Sequence, residues 1–166
     1  AWYENDGAAD PSFTARTIAT SFNGANGVYA ADIDNDGDID VLSSAYLDDE
    51  FVWYENDGAA DPSFTANTIA TSADGASEVY AVDIDNDGDI DVVSALLVDK
   101  KFVWYENDGA ADPSFTARTI TTSADGAVGV YAADIDNDGD VDVLAASQND
   151  DTIAWYENDG AADPSF

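Results

Sequence analysis

Three acidic loops that recur at one spacing hold the residues of this chain that could do chemistry. The first, residues 32–40, reads Asp-Ile-Asp-Asn-Asp-Gly-Asp-Ile-Asp, and near copies occupy residues 83–91 and 134–142. Five carboxylates within nine residues repel one another and need a counter-charge. Oxygen ligands at this density favour a hard divalent cation, calcium before magnesium. The sequence therefore predicts about three bound calcium ions, one in each loop.

The overall composition limits the other chemistry that the chain can do. It has 36 acidic and 4 basic residues, a formal net charge of −32, and neither His nor Cys. This charge argues against nucleic acid or an anionic membrane as a partner. The absence of His and Cys disfavours zinc, iron and copper sites. A hydrophobic content of 45% and an aromatic content of 11% predict a folded core instead of an acidic disordered chain.

The loops are presented by a repeat of 51 residues. The motif Trp-Tyr-Glu-Asn-Asp-Gly begins at residues 2, 53, 104 and 155, with the same step as the loops. Alternating apolar residues and frequent turn formers predict four short strands per repeat. In the first repeat these are residues 28–31, 39–44, 51–55 and 64–71. We therefore expect an all-β chain of four-stranded β-propeller blades, with a β-solenoid as the alternative.

The repeat divides the chain into a partial blade, two complete blades and an incomplete one. The predicted bounds are residues 1–27, 28–78, 79–129 and 130–166, all within a single β-propeller region. Three blades are too few to close a ring, since propellers have about 4–8. Residues 1–13 and 154–166 are identical. We expect further blades from the same chain, as part of a longer array, or alternatively from neighbours in a homo-oligomeric ring or filament.

The order of ligands within each loop is that of the first part of an EF-hand, with a sharp turn at a glycine in position six. Position twelve rules out an EF-hand, because Ser43, Ser94 and Ala145 stand where a bidentate Glu is required. The loop also lies between two predicted strands. On these residues the chain resembles the calcium-binding blades of FG-GAP/VCBS-repeat propellers, a group that includes integrin α-subunit propellers and some lectin-like propellers.

The resemblance implies a ligand set for each loop. The Phe-Gly…Gly-Ala-Pro signature of FG-GAP repeats is missing, so the sequence is closer to bacterial VCBS-type repeats and integrin-like ligand recognition is not implied. The side-chain ligands would come from positions one, three, five and nine, and the main-chain carbonyl from position seven. These are Asp32, Asp34, Asp36, Asp40 and the carbonyl of Asp38; Asp83, Asp85, Asp87, Asp91 and that of Asp89; Asp134, Asp136, Asp138, Asp142 and that of Asp140.

Two groups of residues outside the loops are candidates for packing or ligand binding. One Trp per repeat at a fixed position (Trp2, Trp53, Trp104 and Trp155) predicts packing between blades. The three repeats differ most at residues 46–50, 97–101 and 148–151, and variable surface turns often carry binding residues. The candidate ligand-binding residues are Tyr46, Tyr54, Leu97, Lys100, Tyr105 and Gln148.

These features predict a calcium-stabilised extracellular module for adhesion or binding, secreted or on the cell surface. Its partner would be a carbohydrate, as for a lectin, or a protein. One alternative is a structural repeat of a surface fibre or spacer, and another is a domain of a polysaccharide-degrading enzyme. We expect no enzyme activity, because every carboxylate cluster recurs in each repeat whereas catalytic sites are normally unique.

Overall fold

The computed structural model describes all of residues 1–166. They contain thirteen strands and no helix. No helix of sufficient length and apolar character to cross a membrane is therefore present. The strands form four separate antiparallel sheets, of two, four, four and three strands in chain order. The predicted all-β fold of four-stranded units is confirmed, but the sheets do not form a closed ring.

Each sheet is a simple meander in which consecutive strands pair. The two-stranded sheet pairs β1 (Trp2–Asn5) with β2 (Phe13–Arg16). The other three sheets contain β3 (Ala25–Ala31), β4 (Asp40–Ala45), β5 (Glu50–Asn56) and β6 (Phe64–Ala70); β7 (Ala76–Val82), β8 (Asp91–Leu96), β9 (Lys101–Asn107) and β10 (Phe115–Thr121); and β11 (Ala127–Ala133), β12 (Asp142–Ser147) and β13 (Thr152–Tyr156).

Most strand ends of the first repeat differ from the predicted ones by one residue, and two of the differences have a clear structural meaning. β3 begins at Ala25, not at Val28, because a bulge between these residues lets the chain pair with β4 through the glycine-rich stretch. β4 begins at Asp40, and Ile39 lies outside it and is 55% exposed. The prediction that this strand begins at Ile39 was therefore wrong.

The sheets bury their apolar faces against the next sheet along the chain. Phe51 and Trp53 of β5 lie in one buried cluster with Val79 and Val92 of the following sheet. A second cluster repeats the arrangement one step later, with Phe102 and Trp104 against Val130 and Val143. Each cluster is built from residues of two successive sheets. Each repeat therefore depends on its neighbour for its core.

The first strands of the three larger sheets lie next to one another, and β7 packs beside both β3 and β11. Tyr29, Tyr80 and Tyr131 form a row across them, with ring centroids 4.8 and 4.6 Å apart. A hydroxyl group also crosses between sheets, since Ser44 Oγ of β4 donates to the carbonyl of Ser77 of β7. The first strands β3, β7 and β11 therefore repeat the same contact from one sheet to the next.

The connections between strands lie at two opposite edges of the sheets. Because neighbouring strands are antiparallel, the acidic loop between β3 and β4 shares an edge with the turn after β5. The variable turn between β4 and β5 lies at the other edge, where the backbone N–H of Tyr46 donates to the carbonyl of Gly24. We call these the loop edge and the variable edge.

Candidate metal-binding site

Each acidic loop brings three carboxylates together at the loop edge. In every group one oxygen from each of three aspartates lies within 4.8 Å of the others. Positions one and three belong to all three groups, whereas the third member differs between loops. The groups are Asp32, Asp34 and Asp36; Asp83, Asp85 and Asp91; and Asp134, Asp136 and Asp142.

The loop conformation explains the residue types at positions four and six. Asn35 has a φ of +59° and Gly37 a φ of +99°, and the other two loops repeat both values closely. Asn tolerates the left-handed region better than most residues, and Gly adopts it without steric cost. The turn directs the N–H of Gly37 to Oδ2 of Asp32, at 3.0 Å. The side chain of position one is therefore held in place by its own loop.

One oxygen of the first loop is left without a protein partner. Oδ1 of Asp32 is buried and accepts no hydrogen bond, while Oδ2 is bound to Gly37. A buried carboxylate oxygen without a donor is costly, so the site needs a further positive or hydrogen-bonding group. An ion ligated by Asp32, Asp34 and Asp36 would supply it, and a donor set made only of carboxylate oxygens suits calcium. The residues present therefore fit the metal that the sequence predicts.

The carboxylates at position three lie in an unfavourable environment when no ion is considered. The pKa of Asp34 and that of Asp85 are raised, first by burial and then by repulsion from neighbouring carboxylates, including position five of each loop. The pKa of Asp136 is raised by the same two effects. A cation among these groups would remove both penalties for the charged form, because it replaces lost hydration and opposes the repulsion.

Position nine has a structural role that the sequence did not reveal. In the first loop, Asp40 is fully buried and accepts the N–H of Ile33 at 3.0 Å and the N–H of Asn56 at 2.8 Å. Asp91 and Asp142 make the same pair of bonds in their repeats. This carboxylate fastens the acidic loop to the third strand. In the first loop it does not join the carboxylate group, whereas Asp91 and Asp142 do so.

Position five joins the carboxylate group in the first loop only, and position seven was predicted to bind through its main-chain carbonyl. Asp87 and Asp138 lie outside the carboxylate groups of their loops. Each accepts the N–H of the residue two positions later, as Asp36 also does. At position seven, the side chain of Asp38 lies against Gly58 in the turn that follows β5, and Asp89 and Asp140 lie against the equivalent glycines. Their carbonyls remain the predicted ligands of the resemblance.

The asparagine of the Trp-Tyr-Glu-Asn motif was not predicted to take part in the site. Nδ2 of Asn107 donates to the carbonyl of Ile90 in its own loop and to that of Ile33 in the preceding loop, both at 3.0 Å. Its recurrence at every repeat beside an acidic loop was the available signal. From the sequence it lies just after the third predicted strand of its repeat, where it indicates only the start of a turn.

The six candidate ligand-binding residues fall into two structural groups. Tyr54 and Tyr105 are buried, with 6% and 4% of their surface exposed, and Tyr105 packs against Phe51. The others lie at the variable edge, away from the acidic loops. Of these, Tyr46 and Leu97 are half-buried, and Lys100 and Gln148 are exposed. The structure therefore does not bring the six residues together into one site.

The sequence matches the family described as FG-GAP-like repeat three times, over residues 1–43, 34–94 and 90–145. Together these matches cover most of the chain. The chain belongs to the FG-GAP-like repeat family. No curated protein matches it. In this FG-GAP-like chain, all three acidic loops, and with them the candidate metal-binding residues, lie within the matched repeats.

Proposed function

We propose that this chain is a calcium-stabilised β-propeller-type module that serves as an extracellular scaffold for binding or adhesion. The observation that carries the metal part is the buried Oδ1 of Asp32, which has no partner inside a group of three carboxylates. Calcium is favoured over magnesium because the ligands come from the protein and are many, whereas magnesium usually keeps several waters. Calcium would supply positive charge at the loop edge, where the chain's own residues hold the carboxylates in place.

The propeller arrangement is supported by the repeat and not by a closed ring. Four-stranded antiparallel sheets recur at 51 residues and pack face to face, as blades of a propeller do. Membership of the FG-GAP-like family supports the same architecture. We propose that further blades, from the same chain or from neighbouring copies, complete the ring.

The variable edge is the surface proposed for ligand binding. There the three repeats differ in sequence, and apolar side chains are open to solvent, with Leu47 69% and Val98 46% exposed. Tyr46, Leu97 and Gln148 lie in the same turns. Exposed apolar residues beside polar ones suit a carbohydrate or a protein ligand. Because the carboxylate groups lie at the opposite edge, the metal would support the scaffold without contacting this ligand.

A thermal melt with and without chelator tests the metal part. Removing calcium with EGTA should lower the melting temperature, since an ion at about 100 times its dissociation constant adds roughly 2.7 kcal/mol of stability per site. Adding calcium back should restore the melt, and magnesium at the same concentration should restore less of it. An identical melt in EGTA and in calcium would refute the proposal. Calcium-dependent binding on a glycan array would support the carbohydrate ligand.

A structural or assembly role is a second candidate, favoured by the two ends of the array. At the last sheet, Ile153 is 79% and Trp155 44% exposed, and at the first complete sheet Val28 is 68% exposed. Inside the array, the equivalent faces pack against each other. Copies could therefore associate end to end and build a fibre or ring. Electron microscopy separates the candidates, because filaments would support assembly and isolated particles would support the binding module.

A further inference from the structure

We propose that Asn107 and Asn158 are positioning residues that couple neighbouring acidic loops, so that the three loops bind calcium cooperatively. This inference rests on the proposed calcium binding. It concerns how the loops act together, which neither the family nor the ligand set assigns. Both asparagines are only 2% exposed, and each uses its Nδ2 to hold two loops at once.

The two hydrogen bonds of each asparagine end on main-chain groups within or beside the ligand positions. Asn158 donates to the carbonyl of Val141 at 3.0 Å and to that of Ile84, in the preceding loop, at 2.9 Å. Ile84 follows the position-one ligand Asp83, and its own N–H donates to Asp91. The peptide groups of Ile84 are therefore fixed on one side by its own loop and on the other by the next repeat.

A second contact joins the loops directly. Nδ2 of Asn35 donates to Oδ1 of Asp89 in the next loop at 2.9 Å, and Asn86 makes the same contact with Asp140 at 3.3 Å. Position four of one loop thus reaches position seven of the following one. Each adjacent pair of loops is linked at two points, one buried and one exposed.

These links give binding in one loop a consequence in the next. An ion that orders the first loop also orders the carbonyl of Ile33 and the side chain of Asn35, and through them Asn107 and Asp89. The second loop then loses less conformational freedom when it binds its own ion, which gives positive cooperativity without a change of shape. Repulsion between bound cations acts in the opposite direction, and salt near 0.15 M screens it at distances beyond about 8 Å.

The repeats supply matched controls for each link. Asn56 occupies the same motif as Asn107, but the repeat before it has no acidic loop, and its Nδ2 donates only to the carbonyl of Ile39, at 3.0 Å. Asn56→Ala therefore removes only bonds within the repeat, to Ile39 and from Gly58, whereas Asn107→Ala also removes the bond between loops. For the exposed link, Asn137 has no following loop. Asn35→Gly and Asn137→Gly thus differ in the contacts of Asn35 with the next loop, to Asp89 and to the carbonyl of Gly88. Gly tolerates the positive φ of both positions.

Calorimetric titration of the metal-free chain with calcium chloride in about 0.15 M potassium chloride tests the coupling. The unmodified chain and Asn56→Ala should bind with a Hill coefficient above one. Asn107→Ala should bring the coefficient toward one and weaken the last binding step about 5-fold or more. Asn35→Gly should lower it relative to Asn137→Gly, and this pair remains informative if Asn107→Ala does not fold.

Three outcomes would overturn the coupling. Independent binding by the unmodified chain, with a Hill coefficient of one or below, contradicts it directly while leaving the calcium sites intact. Equal coefficients within both matched pairs would show that the asparagines only hold the fold. No calcium binding at all would remove the proposed function together with the coupling. A loss of cooperativity confined to Asn107→Ala and Asn35→Gly is the result that we expect.

Discussion

The middle repeat and the last repeat have almost the same sequence but bury it very differently. Trp104 is 1% exposed, whereas Trp155, at the same position one repeat later, is 44% exposed. Phe102 is fully buried, and its counterpart Ile153 is 79% exposed. The difference is the next sheet, which covers the face of β9 and has no counterpart beyond β13. In this chain a residue's burial is therefore decided by its neighbouring repeat more than by its own.

The same comparison holds at the loop edge. Ile33 and Ile84 are fully buried, and each carbonyl accepts an asparagine from the next repeat. Ile135, in the last loop, receives no such bond and is 39% exposed. Both the packing between sheets and the hydrogen bonds between loops are therefore missing on the far side of the last repeat. A metal ion in each loop would act on a structure whose repeats already depend on one another.

The largest expected effect comes from removing one tryptophan at a time. Trp104→Ala should lower the free energy of unfolding by about 3–5 kcal/mol, because it leaves a cavity between two sheets. Trp155→Ala, the matched variant, should lower it by about 1 kcal/mol, because that side chain is covered on one face only. Urea denaturation of both variants measures the difference. Equal losses of unfolding free energy in the two variants would show that the neighbouring sheet does not decide how much a tryptophan stabilises the fold.

The next effect is a pH dependence that calcium should reverse. Burial raises the pKa of Asp40 to about 6 and that of Asp91 to about 7. With a reference value of 3.8 for the unfolded state, the metal-free folded chain binds more protons between pH 4 and 7. Its stability should therefore be greatest near pH 4 and fall as the pH rises through these values. The larger shift is worth up to about 4 kcal/mol.

Denaturation in EGTA at pH 5 and pH 8 measures this slope. Asp91→Asn should remove more of it than Asp40→Asn, because the middle loop is covered by repeats on both sides. In excess calcium the slope should change sign, since the ion stabilises the charged carboxylates and protons compete with it. A metal-free chain that is less stable at pH 5 than at pH 8 would contradict the assignment.

A smaller effect is expected at the glycine that contacts the acidic loop. Gly109 has a φ of +67°, and a Cβ there would collide with the carboxylate of Asp89. Gly7 has the same motif and a φ of +70°, but a Cβ there would meet nothing. Both alanine variants should lose about 1–2 kcal/mol through backbone strain. Gly109→Ala should lose about 1 kcal/mol more, because the carboxylate of Asp89 must move away from the added Cβ. Equal losses would argue against this contact.

The smallest effect is expected at the variable edge. Lys100 Nζ lies 2.9 Å from Oδ2 of Asp125, and both side chains are about half-exposed. Lys100→Gln should change the free energy of unfolding by about 0.5 kcal/mol or less, as for other exposed ion pairs. A loss above about 1 kcal/mol would show that this edge also holds the fold. The calcium dependence of the melt should be unchanged in this variant.

Local sequence patterns were enough to predict the strands and the acidic loops. Alternation and turn formers placed the four strands of the first repeat to within a few residues, and the position of Gly37 indicated the sharp turn of the loop. The start of β3 was missed because glycines on either side of Ala25 resemble a turn, while the bulge that accommodates them depends on β4. Residue alternation and turn residues can be read from a short stretch of sequence, so the strands and the loop turns could be predicted from them.

The contacts between repeats could not be predicted in the same way. The sequence places Asn107 at the start of a turn, just after the third predicted strand of its repeat, and its partner Ile33 lies 74 residues earlier. Position nine reads as a metal ligand, but its two backbone hydrogen bonds depend on how the loop folds against the third strand. The tryptophans were predicted to pack between blades, which is confirmed for Trp53 and Trp104, but Trp155 lacks the neighbour that this packing requires.

Anomalous scattering from crystals grown with calcium chloride tests the central claim most directly. Three peaks per chain are expected, one in each acidic loop, with the peak of the first loop next to Oδ1 of Asp32. Each peak should disappear when the crystals are transferred to EGTA. Loops without a peak at saturating calcium, or an Oδ1 of Asp32 bonded to a protein donor in place of an ion, would contradict it.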